Sequence, residues 1–270
     1  MSNGAVIIAN NTKEIEYTRL ARIAARLVNK NLGIPVTLVT NTPSNFSEFE
    51  NTIVVNNNKN NKRSFVIDGN NQTIDWYNLD RADIFDITPY DRTLLIDADM
   101  FVLTDALKSH LEGTFDFGIV TNIHNPVTGN VLVESLTQNR PIDLCWATAV
   151  IFNKNEKAGA IFNLTKHIIK HYDTYAKIYD FDSKPIRNDF AFSIAVHLMS
   201  GYGLGNLGLK NYSLTTVNFN NKIYKIKPNN KFVISYEKND RIYIQQLGLS
   251  DVHFLNKIDL MKNINELELL

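Results

Sequence analysis

The chain has 270 residues, 44% hydrophobic and 21% charged, which is enough for one large α/β domain with a buried core or for two small ones. Lysine plus arginine equals aspartate plus glutamate at 28 each, so no global charge draws it to nucleic acid or to an anionic membrane, and only a local patch could do so. The single cysteine, Cys145, excludes an intrachain disulfide; with no signal-peptide pattern in MSNGAVIIANN and no apolar run near the ~20 residues that span a bilayer, an intracellular, cytoplasmic chain is expected.

The first apolar run, Ala5 to Ala9, predicts a strand. Asn11 followed by Glu14 resembles a capping box, and Leu20, Ile23, Ala24, Leu27 and Val28 then recur at helical spacing, with Gly33 placed as a C-terminal cap. Pro35 to Thr40 predicts a second strand, so the opening is a parallel, right-handed strand–helix–strand crossover. Sheets of this kind bind ligands beyond the carboxyl ends of their strands, which puts Ala9 to Thr12 at a crevice. Thr52 to Val55 predicts a third strand, and Asn56 to Lys62 a solvated polar loop. Thr73 is placed to cap a helix carrying Trp76, Leu79, Ala82 and Phe85, stopped by Pro89. Further strands are expected at Phe115 to Thr121 and Ala147 to Phe152, with a turn over Asn122 to Gly129 between them. Helices are expected at Ala158 to Tyr172 and Asp189 to Met199. After Gly201, Ile223 to Ile226, Phe232 to Tyr236 and Ile242 to Gln245 predict short strands.

The stretch that organises the chain is Thr93 to Leu103, TLLIDADMFVL. Apolar-leaning residues run into and out of Asp97-Ala98-Asp99, the pattern of a strand covered on both faces. Two carboxylates one residue apart are costly in such surroundings unless something positive compensates them. At a strand end facing a crevice they can hold a divalent cation that also meets diphosphate oxygens. His253 near the C-terminus, with Lys257 four residues on, is a sensible addition to that site: imidazole suits Mn²⁺ better than Mg²⁺, and the lysine supplies a point charge. Gly203-Leu204-Gly205-Asn206-Leu207-Gly208 matches the dinucleotide pattern, but a helix precedes it where a strand is required, so it reads as a glycine-rich loop. Asn163-Leu164-Thr165 reads as a chance match to a glycosylation acceptor. Arg81 by itself is a helix charge, and Asp189 a favourable acid in a first helical turn.

Together these residues resemble the GT-A nucleotide-sugar glycosyltransferases, especially the glycogenin and galactosyltransferase group called family 8. The block RADIFDITPYDRTLLIDADMFVL, Arg81 to Leu103, keeps that family's basic residue sixteen positions before the first Asp of D-x-D. The resemblance implies that Arg81 contacts the donor's phosphate or sugar. It implies that Asp97 helps bind donor ribose or metal, and that Asp99 and His253 ligate the metal. Ala9, Asn11 and Tyr17 lie where the family holds the nucleotide base, Asp189 matches the Asp of its D-Q pair facing the transferred sugar, and Lys257 answers to its diphosphate lysine. Departures are local. The Gln of D-Q is Phe190, the F-N-S-G-V segment is Cys145-Trp146-Ala147-Thr148-Ala149, and in the C-terminal element Asn256 replaces Gly, Lys257 arrives two positions early and Pro-Trp is missing.

The expectation is one α/β GT-A domain over 1–270, a mostly parallel Rossmann-like sheet flanked by helices with a smaller β-rich C-terminal portion. The donor-binding part would span about 1–105, and the acceptor and C-terminal part about 106–270. The expected reaction moves a sugar from a nucleoside-diphosphate donor, a UDP-sugar, to a hydroxyl acceptor with Mn²⁺ or Mg²⁺, and the resemblance implies retention. The acceptor stays open among a glycan, a lipid, a protein hydroxyl and a hydroxymethylated DNA base. Two rivals also stay open. A nucleotidyltransferase would need a glycine- and lysine-rich N-terminal phosphate loop, and Ala5 to Lys13 has no glycine. The other rival is a degenerate, non-catalytic glycosyltransferase that only binds.

Overall fold

The structure, a computed structural model, describes residues 2–56, 61–67, 70–76, 79–129, 131–132, 142–180, 186–202, 207–228 and 231–270. The expected opening forms: β1 (Asn3–Ile8), α1 (Tyr17–Leu32), β2 (Val36–Thr40) and β3 (Asn51–Val54), with the three strands parallel. Leu20, Ile23, Ala24, Leu27 and Val28 are fully buried, and each Leu, Ile or Val contributes about 1.5–3 kcal/mol by leaving water. Gly33 ends α1 at φ 69°, donating to the carbonyl of Asn29. The expected capping box does not form, because α1 starts only at Tyr17. Asn11 caps from further back instead: its Oδ1 accepts the Thr18 N–H at 3.0 Å, one of the orphan donors of the first turn.

The next segment corrects two expectations. Residues 57–60 lie outside the described ones, but Asn61 and Lys62 begin a strand, not a loop. β4 (Asn61–Ile67) and β5 (Asn70–Trp76) pair antiparallel, so Thr73 and Trp76 stand in a hairpin and not in a helix. Phe65, Val66, Ile67, Thr73, Ile74 and Trp76 favour strand. Helical backbone begins at the 3₁₀ turn Leu79–Asp83 and continues as α2 (Ile84–Ile87).

The apolar run around the paired acids is also divided. β6 (Arg92–Asp97) runs parallel to β1, with Ile8 opposite Asp97; the chain then turns at Ala98–Asp99, and β7 (Met100–Phe101) enters a different sheet. After α3 (Lys108–Leu111) come β8 (Phe117–Val120), β9 (Asn122–His124), β10 (Val131–Leu132), β11 (Trp146–Asn153), α4 (Glu156–Lys170), α5 (Tyr172–Ile178) and α6 (Asn188–Met199). β9 takes the first residues of the expected 122–129 turn, and Gly129 closes it at φ 72°. The C-terminal part comprises β12 (Ser213–Val217), β13 (Lys222–Lys227), β14 (Lys231–Lys238), β15 (Arg241–Gln246), β16 (Val252–Phe254), α7 (Lys257–Lys262) and α8 (Ile264–Leu267). Gly203 to Asn206 of the glycine-rich stretch lie outside the described residues, whereas Gly208 bridges to Ile119.

The main sheet has the order β3-β2-β1-β6-β11-β8, parallel from β3 to β6 with β11 inserted antiparallel. A second sheet, β10-β9-β12-β16-β7, joins it at the Asp97–Met100 turn, and β13-β14-β15 forms the expected antiparallel trio. Phe101, Phe232 and Phe254 pack together and knit this trio to the second sheet. α1 is tied to the C-terminal helices by Arg19, whose Nε and Nη2 lie 3.0 and 2.9 Å from the Glu268 carboxylate.

Candidate active site

The site lies where the two sheets diverge. Asp97 ends β6, half-buried, and Asp99 is buried in the turn that follows. His253 reaches them because β16 pairs antiparallel with β7, His253 opposite Met100, and the Phe254 N–H binds the Asp99 carbonyl at 3.1 Å. One ligand atom from each of Asp97, Asp99 and His253 lies within 4.8 Å of the other two.

Two cations balance the acids. Arg81 is 1% exposed, and its Nη1 donates to Asp97 Oδ1 at 2.5 Å. Lys257, at the start of α7, places Nζ 2.5 Å from Asp99 Oδ2, and His253 Nε2 lies 3.6 Å from the same oxygen. Burial pushes the Asp99 carboxyl up, but the Lys257 ammonium and the His253 imidazole outweigh it and hold the group well below the usual carboxylate range. Among the described residues, Arg81 Nε and Nη2 and His253 Nδ1 are buried without a hydrogen-bond partner. A buried donor left unpaired costs about 1–3 kcal/mol, and such groups mark places shaped for something the chain does not itself supply. Two carboxylates and an imidazole form a donor set suited to Mn²⁺, and the His253 Nε2, 3.6 Å from Asp99 Oδ2, is the ring nitrogen beside the acids.

A third buried acid braces this arrangement. Asp251, two residues before His253, accepts from the Leu103 N–H, the Thr104 N–H and the Thr104 hydroxyl through Oδ1, each at 2.9 Å, and from the Tyr212 hydroxyl through Oδ2 at 2.9 Å. It thus ties the chain leaving the paired acids to the strand that brings the histidine. Burial raises its carboxyl above the ordinary value, with the bonds from Tyr212, Thr104 and Leu103 acting the other way.

The cleft continues from the acids to the N-terminus of α6 and is walled on one side by Trp146, Ala147 and Thr148 of β11. Asp189, in the first turn of α6, accepts the Ala147 N–H at 2.9 Å with Oδ1, and Arg187 grips Oδ2 through Nε at 3.1 Å and Nη2 at 2.6 Å. The Arg187 guanidinium lies 5.1 Å over the Phe190 ring. Trp146 stands edge-on to His253, ring centroids 6.3 Å apart, with its buried Nε1 unpartnered among the described residues.

The structure of the galactosyltransferase LgtC in complex with donor and acceptor sugar analogues superposes on this chain with a TM-score of 0.52 at 13% identity, covering 98% of this chain and 94% of that one. The fold is GT-A. The glycosyltransferase GlyE of Streptococcus pneumoniae TIGR4 aligns at 13% identity with a TM-score of 0.42, over 78% of this chain and 46% of that chain, so this chain spans about half the length of that protein. Mouse xyloside xylosyltransferase 1 aligns at 9% identity with a TM-score of 0.45, covering 81% and 88%. No protein-family model and no curated protein sequence matches the chain.

On this GT-A frame, Tyr17, Arg81, Asp97, Asp99, Asp189, His253 and Lys257 all line one cleft. Ala9 and Asn11 do not line it. Ala9 is fully buried with its N–H on the Val39 carbonyl, Asn11 is committed to Thr18 and Asn41, and the residue between them, Asn10, faces the cleft with Ile8. Trp146 and Thr148 lie in the segment matched to the family's F-N-S-G-V, whereas Arg187 was passed over. The only signal for Arg187 was its place two residues before Asp189, ahead of a helix.

Proposed function

We propose that the chain is a metal-dependent glycosyltransferase that moves a sugar from a nucleoside diphosphate, a UDP-sugar, to a hydroxyl acceptor with retention of configuration, in a single domain whose donor half is about 1–105 and whose acceptor half follows. The observation that carries this reading is the clustering of Asp97, Asp99 and His253 within 4.8 Å, flanked by Arg81 and Lys257, in a cleft of a GT-A fold. Asp97, Asp99 and His253 would hold Mn²⁺ or Mg²⁺, which when bound supplies Lewis-acid stabilisation of the diphosphate leaving group.

The chain's own residues do the rest. Arg81, held rigid by burial and bonded to Asp97, sets a fixed positive charge beneath the phosphates, so no reorganisation is needed as charge develops there. Lys257 adds a mobile point charge beside them. Asn10 and Tyr17 bound the nucleoside end. Asp189 has both oxygens engaged by Ala147 and Arg187, so it fixes the transferred sugar's hydroxyls and leaves the acceptor's proton to the departing diphosphate. Trp146 and Thr148 shape the sugar and acceptor side.

The test is a thermal-shift and turnover screen. UDP with Mn²⁺ is expected to raise the melting temperature of the wild type and not of Asp99→Ala, since a ligand at a hundred times its Kd adds about 2.7 kcal/mol. UDP-sugars with Mn²⁺ and a panel of glycan, lipid, protein and hydroxymethylated-DNA acceptors are expected to release UDP. Pyrophosphate chemistry in its place would assign a nucleotidyltransferase, and binding without release a non-catalytic role.

A further inference from the structure

The three-stranded sheet at the C-terminal side has two unlike faces. Pairing aligns Lys222 with Ser235 and Ile244, Lys225 with Val233 and Gln246, Lys227 with Lys231, and Glu237 with Ile242. Side chains alternate along strands, so Lys222, Lys225, Lys227, Lys231, Glu237, Ile242 and Ile244 share one face, with Val233 buried among them. The Lys227 Nζ bond to Gln246 Oε1 at 2.9 Å runs across that face. The opposite face, with Ile223, Phe232 and Ile234, is buried against the rest of the protein. The outward face is open: Ile242 is 78% and Ile244 55% exposed, and the irregularity between Ile223 and Lys225 turns Tyr224 out at 61%.

Its charge is as lopsided as its exposure. It carries four lysines, Lys222, Lys225, Lys227 and Lys231, against one acid, Glu237, in a chain whose totals balance. β15 is also an edge strand, and bare isoleucines on an edge are a self-association hazard unless a partner covers them. We propose that this face docks the chain on an anionic lipid bilayer, the lysines meeting headgroup phosphates while Ile242, Ile244 and Tyr224 enter the boundary beneath them. Charge complementarity alone fits any polyanion. The aliphatic side chains select the bilayer, because they gain from entering a hydrocarbon boundary and gain nothing from a phosphate backbone. This inference stands apart from the chemistry of the cleft.

The experiment is co-sedimentation of the full chain with vesicles of phosphatidylcholine alone and of phosphatidylcholine mixed with phosphatidylglycerol, with duplex DNA as a competing polyanion. Wild type is expected to bind the mixed vesicles, to ignore the neutral ones and to be released by salt. Each lysine near the surface is worth about fivefold in partition, so Lys225→Glu with Lys227→Glu is expected to weaken binding more than tenfold. Ile242→Ser with Ile244→Ser is expected to weaken it at unchanged charge. All four positions face outward, so both double variants are expected to keep the wild-type melting temperature. No binding to mixed vesicles, binding indifferent to either double variant, or tighter binding to DNA than to vesicles at equal phosphate would overturn the proposal, the last result reassigning the face to nucleic acid.

Discussion

The ammonium of Lys257 lies on the carboxylate of Asp99, Nζ to Oδ2 at 2.5 Å, with the carboxylate buried and the lysine side chain only 14% exposed. Removing one member of such a pair strands the other's charge, which typically costs about 3 kcal/mol. Lys257→Met is therefore expected to lower stability by about that amount in chelator. Millimolar Mn²⁺ is expected to restore much of the loss, because a second cation can compensate the same carboxylate. Differential scanning fluorimetry with and without the ion reads both effects, and an equal deficit in both conditions would separate Asp99 from metal binding.

Asp251 collects four donors from two stretches of chain, and Ala in its place leaves the Leu103 and Thr104 amides and the Tyr212 hydroxyl unpaired. A loss of about 3 kcal/mol is expected for Asp251→Ala, together with weaker metal affinity, since His253 rides on the same strand. Asp251→Asn keeps an acceptor and is expected to retain most of both. Urea unfolding gives the stability, and titration of Mn²⁺ gives the affinity.

Asp259 gives the pH dependence a definite sign. Burial raises its carboxyl above the ordinary value, with the Ile223 N–H and then Lys262 and Lys222 acting the other way. Folding therefore favours the protonated form. That contribution is complete below the unfolded value of about 3.9 and fades as pH rises through the folded one. Relative to Asp259→Asn, which cannot ionise, the wild type is expected to gain stability as pH is lowered from neutral toward 4. Paired urea titrations across that range check it; parallel curves would mean the carboxyl is not raised.

Arg187 binds Asp189 and not a neighbouring strand, so its loss frees the carboxylate without opening the core. On the proposed chemistry, Arg187→Ala is expected to lower turnover by about 10–100-fold while leaving the thermal shift with UDP unchanged, the pattern of a positioning residue. Arg187→Lys is expected to recover little, because an ammonium cannot reproduce the two-pronged contact. A parallel loss of UDP binding would place Arg187 at the nucleotide instead.

How far the molecule was readable in advance depends on the range of the forces involved. α1 and its flanking strands were legible because Leu20 to Val28 keep helical period and Gly33 marks an end that local backbone geometry demands. The strand at Ala147 to Phe152 and the three after Gly201 were legible for the same local reason. The hairpin was misread because apolar residues around Trp76 and Phe85 happen to fall at helical intervals, while cross-strand pairing decided the outcome. The division of Thr93 to Leu103 between two sheets had no turn residue to announce it: Ala98 and Asp99 bend the chain because Met100 and Phe101 find a partner in β16, far along the sequence. At the site, Asp97, Asp99, Arg81, His253 and Lys257 were named from motif spacing. Ala9 to Thr12 was placed at the crevice as a stretch, but that Asn10 and not its neighbours faces the cleft, and that Arg187 joins it, are tertiary facts.

That division has a mechanical meaning. Asp97 belongs to one layer, Asp99 and His253 to the junction with another, and a two-residue bend joins them. An ion gripped by all three would act as a rivet through overlapping plates, resisting any slide of one layer past the other, and its departure would free them to shift.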